Sequence, residues 1–232
     1  KIARNLLVPI SVGAGPVPSA MWPRSAFSPA RTWAAMATVV RLADDWVADG
    51  VMLDQLRQKT DKTLASYLTR APLRIGMPRE ELRRRLDLSA AAFDVVLGYW
   101  HPAYDACGDG LIRPYGYVVQ LTAVQQQMVA RNLALLAASP YNPPEVAVER
   151  ELLGYMQASG AVMEVAEGIV FHAQAWHEIV TWVLTTIDTQ GSVSVAQLRD
   201  RFDTTRKYAL AVMEYLDSKR ITRRRDDVRV RF

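Results

Sequence analysis

The sequence predicts a mainly α-helical chain punctuated by small β-hairpins, built from one unit used several times. Three observations carry that expectation. Apolar residues recur at helical spacing in long segments, each ended by glycine or proline and restarted by a capping residue. Each group of helices gives way to a short β-branched segment with a turn in its middle. The order helix, short helix, helix, hairpin returns at roughly 55 to 65 residues, which marks a repeat. That order is the order of a winged helix, a helix-turn-helix followed by a two-stranded wing. Units this small bury marginal cores and gain by stacking, so tandem winged helices in an elongated array are expected.

Residues 1–50 predict a partial or degenerate first copy. Lys1 and Arg4 precede the apolar run Leu6–Val12, but Pro9 interrupts it, so it is a poor signal peptide. With no initiator Met, the opening residues read as the interior of a longer chain. Gly13–Pro29, with Pro16, Pro18, Pro23 and Pro29, reads as irregular. Thr38–Leu42 and Trp46–Val47 read as strands.

The second copy, 51–119, opens with a helix over Leu53–Tyr67. Pro78 starts a short helix carrying Glu80 and Glu81 in its first turn, where carboxylates complement the helix dipole. Ser89 caps a helix to about Trp100, and Gly108-Asp109-Gly110 turns a hairpin running to Val119. In the third copy, 120–171, a helix over Thr122–Ala138 meets a connection holding Pro140, Pro143 and Pro144. A helix over Glu149–Gln157 follows, then a hairpin from Val162 to Phe171 turning at Ala166-Glu167-Gly168. The fourth copy, 172–232, begins with a helix over Gln174–Ile187 that Gln190-Gly191 stops. Ser194 with Gln197 forms a capping box for a short helix to Arg201. Asp203 or Thr204 caps a longer helix to about Lys219, and an Arg-rich hairpin turns at Asp226-Asp227.

Charge singles out this last copy. The chain is +4 overall, yet Thr204–Phe232 holds nine Lys/Arg against four acids, leaving the preceding residues at −1. A cationic element on a near-neutral body attracts a polyanion. The face of the last long helix bearing Ala209, Val212, Met213 and Leu216 belongs to the core, with Lys207, Ala211, Glu214 and Ser218 opposite. Arg206 and Lys207 sit in its first turn, where the dipole disfavours cations unless a phosphate covers the free N–H groups. In the hairpin, Arg223 and Arg225 share one face and Arg224 the other, while Arg229 and Arg231 share a face across the turn.

The residues Thr205-Arg206-Lys207-Tyr208-Ala209-Leu210, Glu214-Tyr215-Leu216-Asp217, Ile221-Thr222-Arg223 and Asp227-Val228-Arg229 resemble the C-terminal end of the bacterial selenocysteine-specific translation elongation factor, the SelB family. Ala71–Leu86 resembles the segment that opens the second winged helix of that family, and the likeness runs in order from about Trp46 to Phe232. The resemblance implies an RNA-binding tail of four winged helices, the last of which grips a messenger-RNA hairpin beside a UGA codon. It implies Arg206, Lys207, Tyr208, Arg223 and Arg229 as RNA-binding residues, and Arg224 and Arg225 join them on charge. It further implies a remote GTPase part, using GTP and magnesium, that delivers selenocysteinyl-tRNA to the ribosome. One departure is local: Asp226 stands where the family pattern has Gly.

No Gly-x-x-x-x-Gly-Lys-Ser/Thr loop occurs, so this chain is not expected to be an enzyme or to hold a cofactor itself. His101, His172 and His177 lack metal-ligand spacing. One cysteine, Cys107, excludes an internal disulfide and favours a reducing, cytoplasmic setting. No apolar run approaches the roughly 20 residues that span a bilayer. Arg83-Arg84-Arg85 reads as a solvated helix face balanced by Glu80, Glu81 and Asp87. The alternative function is a winged-helix DNA-binding transcriptional regulator, although nothing suggests the dimer such regulators use, and a monomer is expected. The earlier copies read as a spacer.

Overall fold

The computed structural model describes residues 7–9, 39–43, 46–107 and 110–232. Gly13–Pro29 and the turn residues Gly108 and Asp109 lie outside the described residues. The chain divides into two compact units, Lys1–Val118 and Val119–Phe232.

In the first unit, β1 (Leu7–Pro9), β2 (Val39–Ala43) and β3 (Trp46–Asp49) form an antiparallel sheet in the order β1-β3-β2. Val8 stands opposite Val47, and Val40 opposite Ala48. Strand β3 passes without a loop into α1 (Gly50–Arg70) because the Asp49 carboxylate accepts the Met52 amide at 3.0 Å. This cap starts the helix three residues before its first apolar stripe position, Leu53. Leu53, Leu56, Thr60, Leu64 and Leu68 form the buried stripe.

Then come β4 (Met77–Pro78), α2 (Arg79–Leu86), α3 (Ala90–Tyr99), β5 (Tyr104–Cys107) and β6 (Leu111–Pro114), with sheet order β4-β6-β5. Ser89 caps α3 through the Ala92 amide at 3.2 Å. The wing ends at Pro114 rather than Val119. Gly76 is needed for close approach, since a Cβ there would lie 3.1 Å from the Ile112 carbonyl oxygen. Leu64, Met77, Leu82, Leu86, Phe93 and Ile112 are fully buried, each such side chain contributing about 1.5–3 kcal/mol. Trp100 packs against Tyr104 of the wing at 5.7 Å between ring centroids. Burial, and then the hydrogen bond that Tyr104 donates to Asp61, push that phenol's pKa up. Val40, Leu42 and Trp46 of the preceding sheet pack on this core, and α3 lies against β2.

The second unit repeats this plan with one omission. Thr122 and Gln125 form a reciprocal capping box that opens α4 (Ala123–Ala138). No short helix or short strand follows; residues 139–149 run as an irregular connection to α5 (Arg150–Ala158). Pro140, Pro143 and Pro144 account for that, because proline lacks the amide donor and pushes its predecessor out of the helical region. The wing, β7 (Val162–Ala166) and β8 (Ile169–His172), turns through Gly168 at φ 72°. Strand β8 runs straight into α6 (Ala173–Gln190), which ends at Gly191 with φ 82°.

Strand β9 (Val193–Ser194) and α7 (Val195–Phe202) follow, the latter opened by the expected Ser194–Gln197 box at 2.8 and 3.1 Å. Helix α8 (Arg206–Ser218) precedes β10 (Thr222–Arg225) and β11 (Val228–Arg231), with sheet order β10-β11-β9. As in the first unit, the preceding wing joins the core: Val165, Ile169 and Phe171 cluster with Ile179, Val183, Leu198, Val212 and Met213. Helix α8 lies on β7 as well as on its own copy. Ala211, placed by periodicity on the outer face, is therefore buried.

Candidate nucleic-acid interface

The candidate site is the start of α8 together with its wing. The N-cap is Thr205, not Asp203 or Thr204, and its side chain makes no capping hydrogen bond. Asp203 is used instead as the left-handed end of α7, at φ 47°. Thr204 turns its hydroxyl away to the Tyr141 carbonyl at 2.5 Å. The first intrahelical amide bond runs from Ala209 to Thr205, so the amides of Arg206, Lys207 and Tyr208 have no intrahelical acceptor. Arg206 and Lys207 are both exposed beside these donors.

The 139–149 connection holds this helix start from behind. Asn142 donates to the Asp203 carbonyl at 2.9 Å, and Tyr208 donates to the Pro143 carbonyl at 3.1 Å. The Tyr208 ring meets Phe171 edge-on at 6.4 Å, and the Lys207 ammonium lies 5.5 Å from the ring centroid. Tyr208 is thus half-buried and positions the turn, with its hydroxyl already engaged. Tyr141 in turn donates to Glu178 at 2.5 Å, a bond that raises the Tyr141 pKa and lowers that of Glu178. Tyr215 packs edge-on against Trp176 at 5.2 Å.

In the wing, register places Arg223 opposite Val230, Arg224 opposite Arg229, and Arg225 opposite Val228. Arg223, Arg224 and Arg225 are exposed. Arg224 donates to the Asp226 carbonyl at 2.9 Å, which ties it to the turn. Asp226 takes φ 55°, the left-handed conformation that a glycine adopts without strain.

Arg229 requires a correction. It is 4% exposed, and its Nε donates to Asp217 Oδ2 at 2.9 Å. Asp217 Oδ1 accepts the Thr222 hydroxyl at 2.6 Å, so this carboxylate joins α8 to both wing strands. The reason is strand alternation: Arg229 lies on the face turned toward α8, where Asp217 waits. Arg229 cannot meet a ligand without breaking the wing. Arg231, on the same face, is exposed but bound to Asp188 through two hydrogen bonds of 2.9 and 2.7 Å. That pairing lowers the Asp188 pKa and raises that of Arg231. Of the cations expected to bind RNA, Arg206, Lys207, Arg223, Arg224 and Arg225 are exposed and make no ion pair with a described residue. Among the described residues no cluster of three His, Cys, Asp or Glu side chains could hold a metal ion.

Two family models match the chain. Both are described as elongation factor SelB, winged helix: the second-domain model matches residues 62–101, and the third-domain model residues 185–231. Two stretches of the chain thus match SelB winged-helix domains. The two matches fall on the second and fourth copies, the ones with a complete helix-turn-helix. Among solved structures, the chain is similar to the mRNA-binding domain of elongation factor SelB from E. coli in complex with SECIS RNA. That likeness has 18% identity, covers 48% of this chain and 98% of that one, and has a TM-score of 0.37. It is also similar to a bacterial selenocysteine-specific elongation factor, EF-Sec, with 16% identity over 84% of this chain and a TM-score of 0.39. The chain spans 32% of that factor's length. Both superpositions are loose, and the likeness to SelB rests on the two family models. No curated protein matches the chain.

Proposed function

We propose that the fourth copy of this SelB-type tail binds a folded messenger-RNA hairpin, acting as the recognition end of a selenocysteine-specific elongation factor. The observation that carries this reading is a helix start whose amides lack a side-chain cap, with exposed Arg206 and Lys207 in its first turn, in the same copy as the exposed wing arginines Arg223, Arg224 and Arg225. A phosphate over α8 satisfies those amides and removes the dipole penalty on Arg206 and Lys207. Arg223 and Arg225 extend the same attraction along the outer face of the wing. A hairpin offers crowded phosphates and splayed loop bases, which suits contacts that are ionic first. The SECIS RNA in the similar E. coli structure is the ligand class this proposal extends to the present chain. In the whole factor, a separate GTPase part with GTP and magnesium delivers selenocysteinyl-tRNA to the ribosome, while this tail marks the message.

Gel-shift titration of the 232-residue chain with a selenoprotein-message hairpin tests the proposal. Neutralising about three to five phosphates makes log K fall with log salt at a slope of about −2 to −4.5. Replacing Arg206 and Lys207 by Ala costs about 2 kcal/mol or more of binding free energy. A salt-insensitive curve, or a preference for duplex DNA over the hairpin, refutes the reading.

A further inference from the structure

The second copy carries a cationic surface of its own, away from its recognition helix. Helix α3 is a poor candidate for nucleic acid: Ala90–Tyr99 contains no Lys or Arg, and α3 packs against β2 of the preceding sheet. The outer face of α1 is different. A groove of about 470 Å³ between α1 and α2 is lined by Gln55, Gln58, Lys59, Lys62, Thr63, Ser66, Arg70 and Arg85. No acid and no apolar side chain lines it.

At about 100° per residue, Gln55, Lys59, Lys62, Ser66 and Arg70 fall within a stripe of roughly 80°, on the side away from Leu53, Leu56, Leu64 and Leu68. The two acids of the helix, Asp54 and Asp61, lie about 100° to 120° round from Gln55. Asp61 is held by the Tyr104 hydroxyl. Lys59, Lys62 and Arg70 are exposed and make no ion pair with any described residue. Arg85 differs, being paired to Glu81 at 2.5 Å. Lys59 to Arg70 spans roughly 16 Å of helix at 1.5 Å per residue, room for about three successive phosphates.

We infer that this stripe is a second RNA-binding surface, which takes the phosphate backbone of a duplex RNA without reading its sequence. Compact ammonium groups spaced along a straight helix match a regular row of phosphates. Gln55, Gln58 and Ser66, interleaved with them, supply neutral donors for 2′-hydroxyls and phosphate oxygens across a shallow minor groove. An acidic protein segment would call for apolar anchors in the groove, and a membrane surface for an apolar edge; the groove has neither. The inference rests on the RNA-binding reading of the chain, and places a second contact where that reading assigned only a spacer.

The test uses the full 232-residue chain and a blunt RNA duplex of about 20 base pairs without a loop, a length exceeding the ≈ 16 base pairs that duplex-RNA domains span. Three variants are compared: K59Q/K62Q/R70Q, K59R/K62R with Arg70→Lys, and R206A/K207A. The glutamine variant is expected to lose tenfold or more in duplex affinity and to reduce the salt slope by about 2 to 3. The charge-conserving variant binds the duplex within twofold of the parent chain. The R206A/K207A variant loses the message hairpin yet keeps the duplex. Unaltered melting curves show that the exposed substitutions leave the fold intact. The inference is overturned if the glutamine variant binds the duplex as the parent does. It is equally overturned if poly-glutamate or phosphatidylserine vesicles, rather than the duplex, lose affinity with that variant. Loss of hairpin binding by R206A/K207A is independent of either result, so the two readings fail separately.

Discussion

Replacing Arg229 by Ala separates a structural arginine from a ligand-binding one. In the native wing, the guanidinium side chain is 5% exposed and lies 2.9 Å from an Asp217 carboxylate that is 23% exposed. Removing one partner of a buried pair costs about 3–5 kcal/mol, because the other charge stays behind without compensation. Here Asp217 keeps the Thr222 hydroxyl at 2.6 Å and retains some water, so the cost falls to about 2–3 kcal/mol. For a unit the size of Val119–Phe232, that lowers the melting temperature by roughly 8–12 °C, at about 4 °C per kcal/mol. Differential scanning calorimetry of the whole chain resolves the shift, and hairpin affinity is measured at a temperature where the variant is folded. The expected result is a destabilised C-terminal unit with hairpin affinity within twofold of the parent. Replacing Asp217 and Arg229 together by Leu restores part of the stability, since the buried charges leave as a pair while the buried Thr222 hydroxyl loses its acceptor. A variant that melts like the parent but loses hairpin affinity as R206A/K207A does would falsify the inward assignment of Arg229.

Asp226→Gly relieves the left-handed φ of 55° and is expected to raise the same transition by about 0.5 kcal/mol; a lowered transition contradicts the strain. It also removes a negative charge from the tip, so hairpin affinity rises rather than falls. Thr204→Val severs the bond to the Tyr141 carbonyl, costing about 1–2 kcal/mol, and amide hydrogen exchange over residues 203–209 quickens; unchanged exchange shows that the 139–149 connection does not hold the helix start. Acid is expected to loosen the C-terminal unit through Asp188 and Glu178, whose pKa values are lowered by the Arg231 and Tyr141 hydrogen bonds. A folded-state pKa below the unfolded value means that the contribution is complete above the ordinary carboxylate range near 4, and is lost as pH falls through the depressed values. Melting temperature against pH checks this: the parent declines below about pH 4.5, while an E178Q/D188N variant declines less.

Much of the fold was legible because it is written in local signals. The Ser194–Gln197 box, the Ser89 cap, the Gly191 stop and the apolar stripes each act within a few residues. The errors share one cause, which is partners distant in sequence. Periodicity put Ala211 outside because it knows nothing of β7, some fifty residues earlier. Alternation placed Arg229 and Arg231 on one face, but only Asp217 and Asp188 decide that this face turns inward. Thr204 looked like a cap because nothing local announces the Tyr141 carbonyl. The stripe of Lys59, Lys62 and Arg70 was readable on a helical wheel, yet the adjacent run Arg83-Arg84-Arg85 is the louder signal. In the folded chain two of those three arginines are taken up by Glu80 and Glu81.

The direct run of β8 into α6, with Phe171 and Ile169 sealed beneath the following helices, limits how this chain can be re-engineered. A cut between His172 and Ala173 divides a shared interior and strands greasy surface on both fragments. Anyone grafting the C-terminal copy onto another carrier must move residues 119–232 as one cassette.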